Sequence, residues 1–74
     1  MILPSKHISV ENSILGVGAV ILAHLGRPTT VSSLWEELRS LPEISTYERF
    51  ILGLDLLYTI EVIEIRDGTL RRLQ

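Results

Sequence analysis

From Ser13 to Leu25 the chain reads SILGVGAVILAHL, with no formal charge and only Ser13 and His24 bearing polar side chains. A helix on the surface of a small domain normally shows an apolar stripe and a polar face. Here Ile14, Val17, Ile21 and Leu25 make one stripe, and Leu15, Ala19 and Leu22 make a second beside it. The pattern predicts a first helix from Glu11 or Asn12 to Leu25, apolar on more than one side. Glu11 near its start suits the helix dipole. Gly26 is placed to close it in a left-handed conformation, and Pro28 stops its continuation. His24, in the last turn, is placed to interact with the negative end of the helix.

The next periods are more conventional. Val31, Leu34, Trp35, Leu38 and Leu41 recur at helical spacing, with Glu36, Glu37 and Arg39 largely off that stripe. They predict a second helix from Val31 to about Leu41, capped by Thr30 and ended by Pro42. Ser45-Thr46-Tyr47-Glu48 has the form of a capping box, with Ser45 as the cap. A third helix follows to Thr59 or Ile60, with an expected inner stripe of Tyr47, Phe50, Ile51, Leu54, Leu57 and Tyr58. The period then changes to that of strands. Val62–Ile65 and Thr69–Leu73 flank Asp67-Gly68, a favoured two-residue hairpin turn. Thr29 and Thr30 are candidates for a short third strand.

These elements predict a mostly α fold with a C-terminal β-hairpin, like a winged helix-turn-helix: three helices plus a wing. A three-helix bundle with a frayed tail is the alternative. Residues 1–10, with Pro4 among them, read as an N-terminal arm, and residues 11–74 as one domain. The arm can lie along the domain, add a strand to another protein's sheet, or stay loosely held.

Composition narrows the picture. Seven Lys and Arg face nine Asp and Glu, a balance that argues against a free-standing nucleic-acid binder. With no cysteine there are no disulfides and no thiolate metal site, which fits a cytoplasmic protein. The apolar run is shorter than the roughly 20 residues that span a bilayer, so no membrane association is expected. Cleavage of this run as a signal peptide would remove much of the core. The two histidines are far apart, and no carboxylate spacing suggests a metal site. Gly16-Val17-Gly18 lacks the strand and lysine of a phosphate-binding loop; small residues for close helix packing explain it better. No cofactor, metal or catalytic residues are expected, and the chain is read as non-enzymatic.

Function then turns on surfaces. A chain of this length buries only a little over about 60% of its unfolded surface, yet the first helix needs cover on more than one side. Opposite the expected core stripe, the third helix offers Glu48, Arg49, Leu52, Asp55, Leu56 and Thr59. Two acids and two leucines suit a polar, anionic DNA groove poorly. Each leucine buried on a protein contributes about 1.5–3 kcal/mol. Leu52 and Leu56 are read as facing a partner, although the first helix can also cover them. The expected protein interface comprises Ile14, Leu15, Val17, Leu22, Leu52 and Leu56. The competing reading is a DNA-binding winged-helix transcriptional regulator acting through Arg49, Arg66, Arg71 and Arg72. A homo-oligomer pairing first helix to first helix is a third. Trp35 is assigned to the core, with an interface anchor as its other reading.

The segments MILPSKHI, ILGVGAVIL, TTVSSLWEEL and YERFILGLDLLYTIEVIEIRDGTLRR together cover nearly the whole chain. In order, length and texture they resemble the small middle components of bacterial ABC-three-component systems, in particular middle component 6. The resemblance implies a winged-helix-like adaptor without an active site. It would connect an ABC-type ATPase, similar to chromosome-maintenance ATPases, with an effector subunit in a conflict or antiphage module. One departure concerns the third helix. Many winged helices place a glycine where that helix turns into the wing, and this chain has Ile60-Glu61. A longer or strained turn is expected there.

Overall fold

The computed structural model describes residues 10–73, with side chains from residue 13. Six elements follow in order: α1 (Val10–Ala23), β1 (Thr29–Thr30), α2 (Val31–Leu38), α3 (Tyr47–Thr59), β2 (Ile63–Arg66) and β3 (Thr69–Arg72). The arm expected over residues 1–10 lies outside the described residues except for Val10, which opens α1.

The strands form one antiparallel sheet in the order β1-β3-β2. Asp67 and Gly68 have φ of 54° and 78°, the left-handed pair that a tight hairpin with the native twist requires. They place Ile65 opposite Leu70 and Ile63 opposite Arg72. Thr29 and Thr30 pair with Leu70 and Thr69, so the expected third strand is present. Thr30 also caps α2, its hydroxyl accepting the Ser33 N–H at 3.1 Å. The chain is thus mostly helical with a C-terminal hairpin.

The core joins Val17, Ile21 and Leu25 to Leu34, Leu38, Ile44, Phe50, Leu54, Leu57, Ile63 and Leu70. Its main helix pairing is α1 on α3. Gly53 is the point of closest approach. A Cβ added there would lie 2.6 Å from Val17 Cγ1 and 3.0 Å from Ile21 Cδ1. Gly18 lies near the same seam, where a Cβ would meet Leu57 Cδ2 at 3.3 Å and Leu56 Cδ2 at 3.7 Å. The glycine pattern Gly16-Val17-Gly18 therefore serves packing at Gly18; at Gly16 an added Cβ would meet nothing.

Several local expectations are corrected. Gly26 does not take a left-handed conformation. Helix α1 ends earlier, at Ala23, and its last turn is held otherwise. His24 and Leu25 N–H groups bond back to Val20, Ile21 and Leu22 carbonyls. His24 Nδ1 adds a 2.9 Å contact to the Val20 carbonyl. Helix α2 ends at Leu38, not Leu41. Leu41 instead accepts the N–H groups of Ile44 and Ser45 in a turn that sends Ile44 into the core. That turn leaves Ser45 at φ 72°, so Ser45 is not the cap of α3. Thr46 is, accepting the Arg49 N–H at 3.1 Å, and Glu48 falls one position short of the capping-box place.

The buried face of α3 is also rotated from the expected stripe. Phe50, Gly53, Leu54 and Leu57 are buried. Tyr47, Ile51 and Tyr58 are exposed. Glycine carries no hydropathy signal, yet Gly53 sits at the centre of the α1 contact and turns the stripe's other flank to solvent.

Candidate functional site

Helix α1 covers α3 with only one of its faces. Val17 is sealed in the protein's own core at 1% exposure, so it presents nothing to a partner and leaves the expected interface set. Leu15 is 54% exposed, and Gly16, Ala19 and Ala23 are exposed with it. Ile14 and Leu22 are half-buried between the two faces. On α3, Leu56 is half-buried against Gly18 of α1, whereas Leu52, one turn earlier on the same flank, is 42% exposed. The outer side of α1 and the Leu52 flank of α3 make a first apolar face.

A second apolar face lies on the flank of α3 that carries Ile51 and Tyr58, which the expected stripe placed inward. Val31 at the start of α2, Ile51, Leu54 and Tyr58 of α3, and Ile65 of β2 line a shallow groove of about 220 Å³. Ile51, Tyr58 and Ile65 are all exposed, and Asp55 is the one charged residue in the lining. This face forms where the hairpin extends past the core. The pairing puts Ile65 opposite buried Leu70, yet its side chain remains 49% exposed. Only the strand alternation of Ile63 and Ile65, both pointing to the α3 side, could have found it.

The aromatic residues close the join of α2 and α3. Trp35 is half-buried and stands edge-on to Tyr47, with ring centres 5.0 Å apart at 81°. The Trp35 ring centre lies 5.3 Å from that of Phe50, and the Arg39 guanidinium sits 5.8 Å from the Trp35 ring centre. Trp35 therefore packs against the core, with part of its surface left open.

The arginines divide by what they touch. Arg49 turns back from α3, donating from Nε to the Ile44 carbonyl and from Nη2 to the Glu43 carbonyl, both at 3.2 Å. Its guanidinium fastens the α2–α3 loop and does not project from the helix. On the hairpin, Arg66 and Arg71 both approach the Glu64 carboxylate at 3.7 Å. Arg72 lies on the other side of the sheet and reaches the Leu22 carbonyl at 3.5 Å. The four arginines considered for DNA contact thus do not form one surface.

Among the described residues, no three His, Asp or Glu side chains come together as a metal site. No described helix is long and apolar enough to cross a membrane. A family model described as "ABC-three component (ABC-3C) system Middle Component 6" matches residues 3–74. The chain belongs to that family. As a middle component it is one part of a multi-component system, and such a part has protein partners. Comparison with curated proteins and with solved structures finds no match.

Proposed function

We propose that this middle component is a non-enzymatic, winged-helix adaptor acting in the cytoplasm. It links an ABC-type ATPase to an effector subunit in a conflict or antiphage module. The observation that carries the reading is the pair of apolar faces on different flanks of α3. One comprises Leu15, Ala19 and Ala23 with Leu52; the other comprises Val31, Ile51, Tyr58 and Ile65. A protein that joins two others needs two such surfaces, and exposed apolar patches of this kind mark protein contacts. Helix–helix–helix–hairpin order, with Thr29–Thr30 as a third strand, supports the winged-helix assignment.

The same observation disfavours the DNA-binding regulator. The outward side of α3 carries Glu48, Ile51, Leu52, Asp55 and Tyr58. Its one arginine is committed to the loop carbonyls. Co-expression tests the adaptor reading. Alone, the chain should fold but self-associate as its concentration rises; with the ATPase and effector of its system it should purify as a defined complex. A monodisperse monomer that joins neither protein would overturn it. Retardation of duplex DNA at low salt, lost as salt rises, would favour the regulator.

A further inference from the structure

At the end of α1 the apolar outer side meets a cluster of cations. Arg27 follows the helix on the loop to β1, and Arg71 and Arg72 come from β3. With Leu25, Gly26 and Pro28 they line one open cleft of about 280 Å³. A neighbouring hollow shares Gly26, Arg27 and Pro28 and adds Ala23, His24, Thr29 and Glu37, so the cleft continues to Ala23, the exposed last residue of α1. Most arginines elsewhere have partners. Arg39 pairs with Glu36, Arg49 binds loop carbonyls, and Arg66 shares Glu64 with Arg71. Among the described residues, neither Arg27 nor Arg72 meets a carboxylate. Arg72 touches only the Leu22 carbonyl, at 3.5 Å, the edge of hydrogen-bonding distance. Two arginines lining one concavity, neither of them meeting a carboxylate, are suited to bind carboxylates there.

We propose that this cleft receives Asp or Glu side chains from an acidic segment of the protein that covers α1. The occupant is one polypeptide with two parts. An apolar stretch lies along Leu15, Ala19 and Ala23, and its acidic end enters between Arg27 and Arg72. The inference rests on the adaptor reading and adds the chemistry and direction of the partner segment. A nucleic-acid backbone fits less well. A duplex presents one phosphate charge per about 1.7 Å of its axis, and that continuous row would run over Glu37 beside the cleft and Glu64 beside Arg71. Discrete carboxylates avoid both.

The test uses the full chain and reads the side-chain Nε–H resonances of its arginines. Titration with hexaglutamate should move the signals of Arg27 and Arg72 and leave Arg39 unmoved. The response should vanish in 1 M salt, where the screening length falls to about 3 Å. Arg27→Ala and Arg72→Ala should each weaken binding by about tenfold, the loss of one charge-assisted contact. Hexaglutamate that moves all arginines equally would overturn the proposal, as would tighter binding of a short DNA duplex at the same residues. A second arm uses the co-expressed complex. Arg27→Glu with Arg72→Glu should weaken ATPase or effector capture, whereas wild-type capture by that double variant would overturn the cleft. Leu15→Asp distinguishes the two readings. If it abolishes capture while the arginine variant does not, the cleft fails and the adaptor stands. If neither variant alters capture, both fail at this face.

Discussion

Glu61 holds a backbone conformation that favours glycine. Its φ is 65°, and the chain around it closes α3 as a Schellman turn. The Val62 N–H bonds the Leu57 carbonyl and the Glu61 N–H bonds the Tyr58 carbonyl, both at 3.1 Å. The strain expected from Ile60-Glu61 in place of a glycine is therefore localised at one residue. A left-handed L-residue costs roughly 1–2 kcal/mol, partly offset when glycine's greater unfolded-state freedom is counted. Glu61→Gly should then raise stability by about 0.5–1 kcal/mol, read as a higher midpoint in urea with an unchanged slope. Arg49 is the opposite case, a residue whose removal leaves something unmade. Hydrogen bonds from charged groups contribute about 1.5–3 kcal/mol each, less where solvent reaches them. With Ile44 and Glu43 carbonyls both dependent on this half-buried side chain, Arg49→Ala should cost about 1–2 kcal/mol in the same titration. If Arg49 were instead a free DNA contact, its loss would leave the urea midpoint in place.

At the scale of elements, what could be read in advance was what short-range chemistry decides. Thr30 caps α2 because a hydroxyl three residues before a free N–H has an obvious partner. Asp67-Gly68 makes the hairpin because few other pairs adopt two left-handed residues. The boundary of α3 slipped by one residue because Ser45 and Thr46 offer the same hydroxyl, and only the turn that buries Ile44 decides between them. For α1 the stripes were legible but not the choice between them: Val17, Ile21 and Leu25 of one stripe are buried, while Leu15 of the other is open. What selects Val17 is Gly53 on another helix, whose missing side chain makes room for it. Gly53→Ala should therefore force α1 away from α3. Overpacking of this kind costs about 1–3 kcal/mol, outweighing the gain in helix propensity of about 1 kcal/mol. Thermal unfolding should show the loss, and Val17→Ala should cost less in the Gly53→Ala chain than in wild type. Equal stability of Gly53→Ala and wild type would mean that the α1–α3 contact is looser than 2.6 Å implies.

For the whole molecule, the decisive property is that its two apolar faces can be broken separately. Leu15 stands on the outer side of α1, remote in sequence from the groove residues, and its side chain is more than half exposed. Ile51 stands in the groove beside Tyr58 and Ile65. Neither belongs to the buried core, so both variants should still fold: Leu15→Asp should cost under about 1 kcal/mol, and Ile51→Asp, only 38% exposed and one turn from Asp55, about 1–2 kcal/mol. Placing that charge in an occupied interface is another matter. A desolvated, unpaired carboxylate costs several kcal/mol, enough to lower affinity by a hundredfold or more. If the molecule bridges two proteins, Leu15→Asp should release one and keep the other, and Ile51→Asp should do the reverse. Pull-down of the co-expressed ATPase and effector with each variant would show the split, with thermal unfolding to confirm that both variants fold. Loss of the same partner from both variants would mean that the two faces serve a single protein wrapped around α3. The adaptor would then be a subunit of one partner and not a link between two.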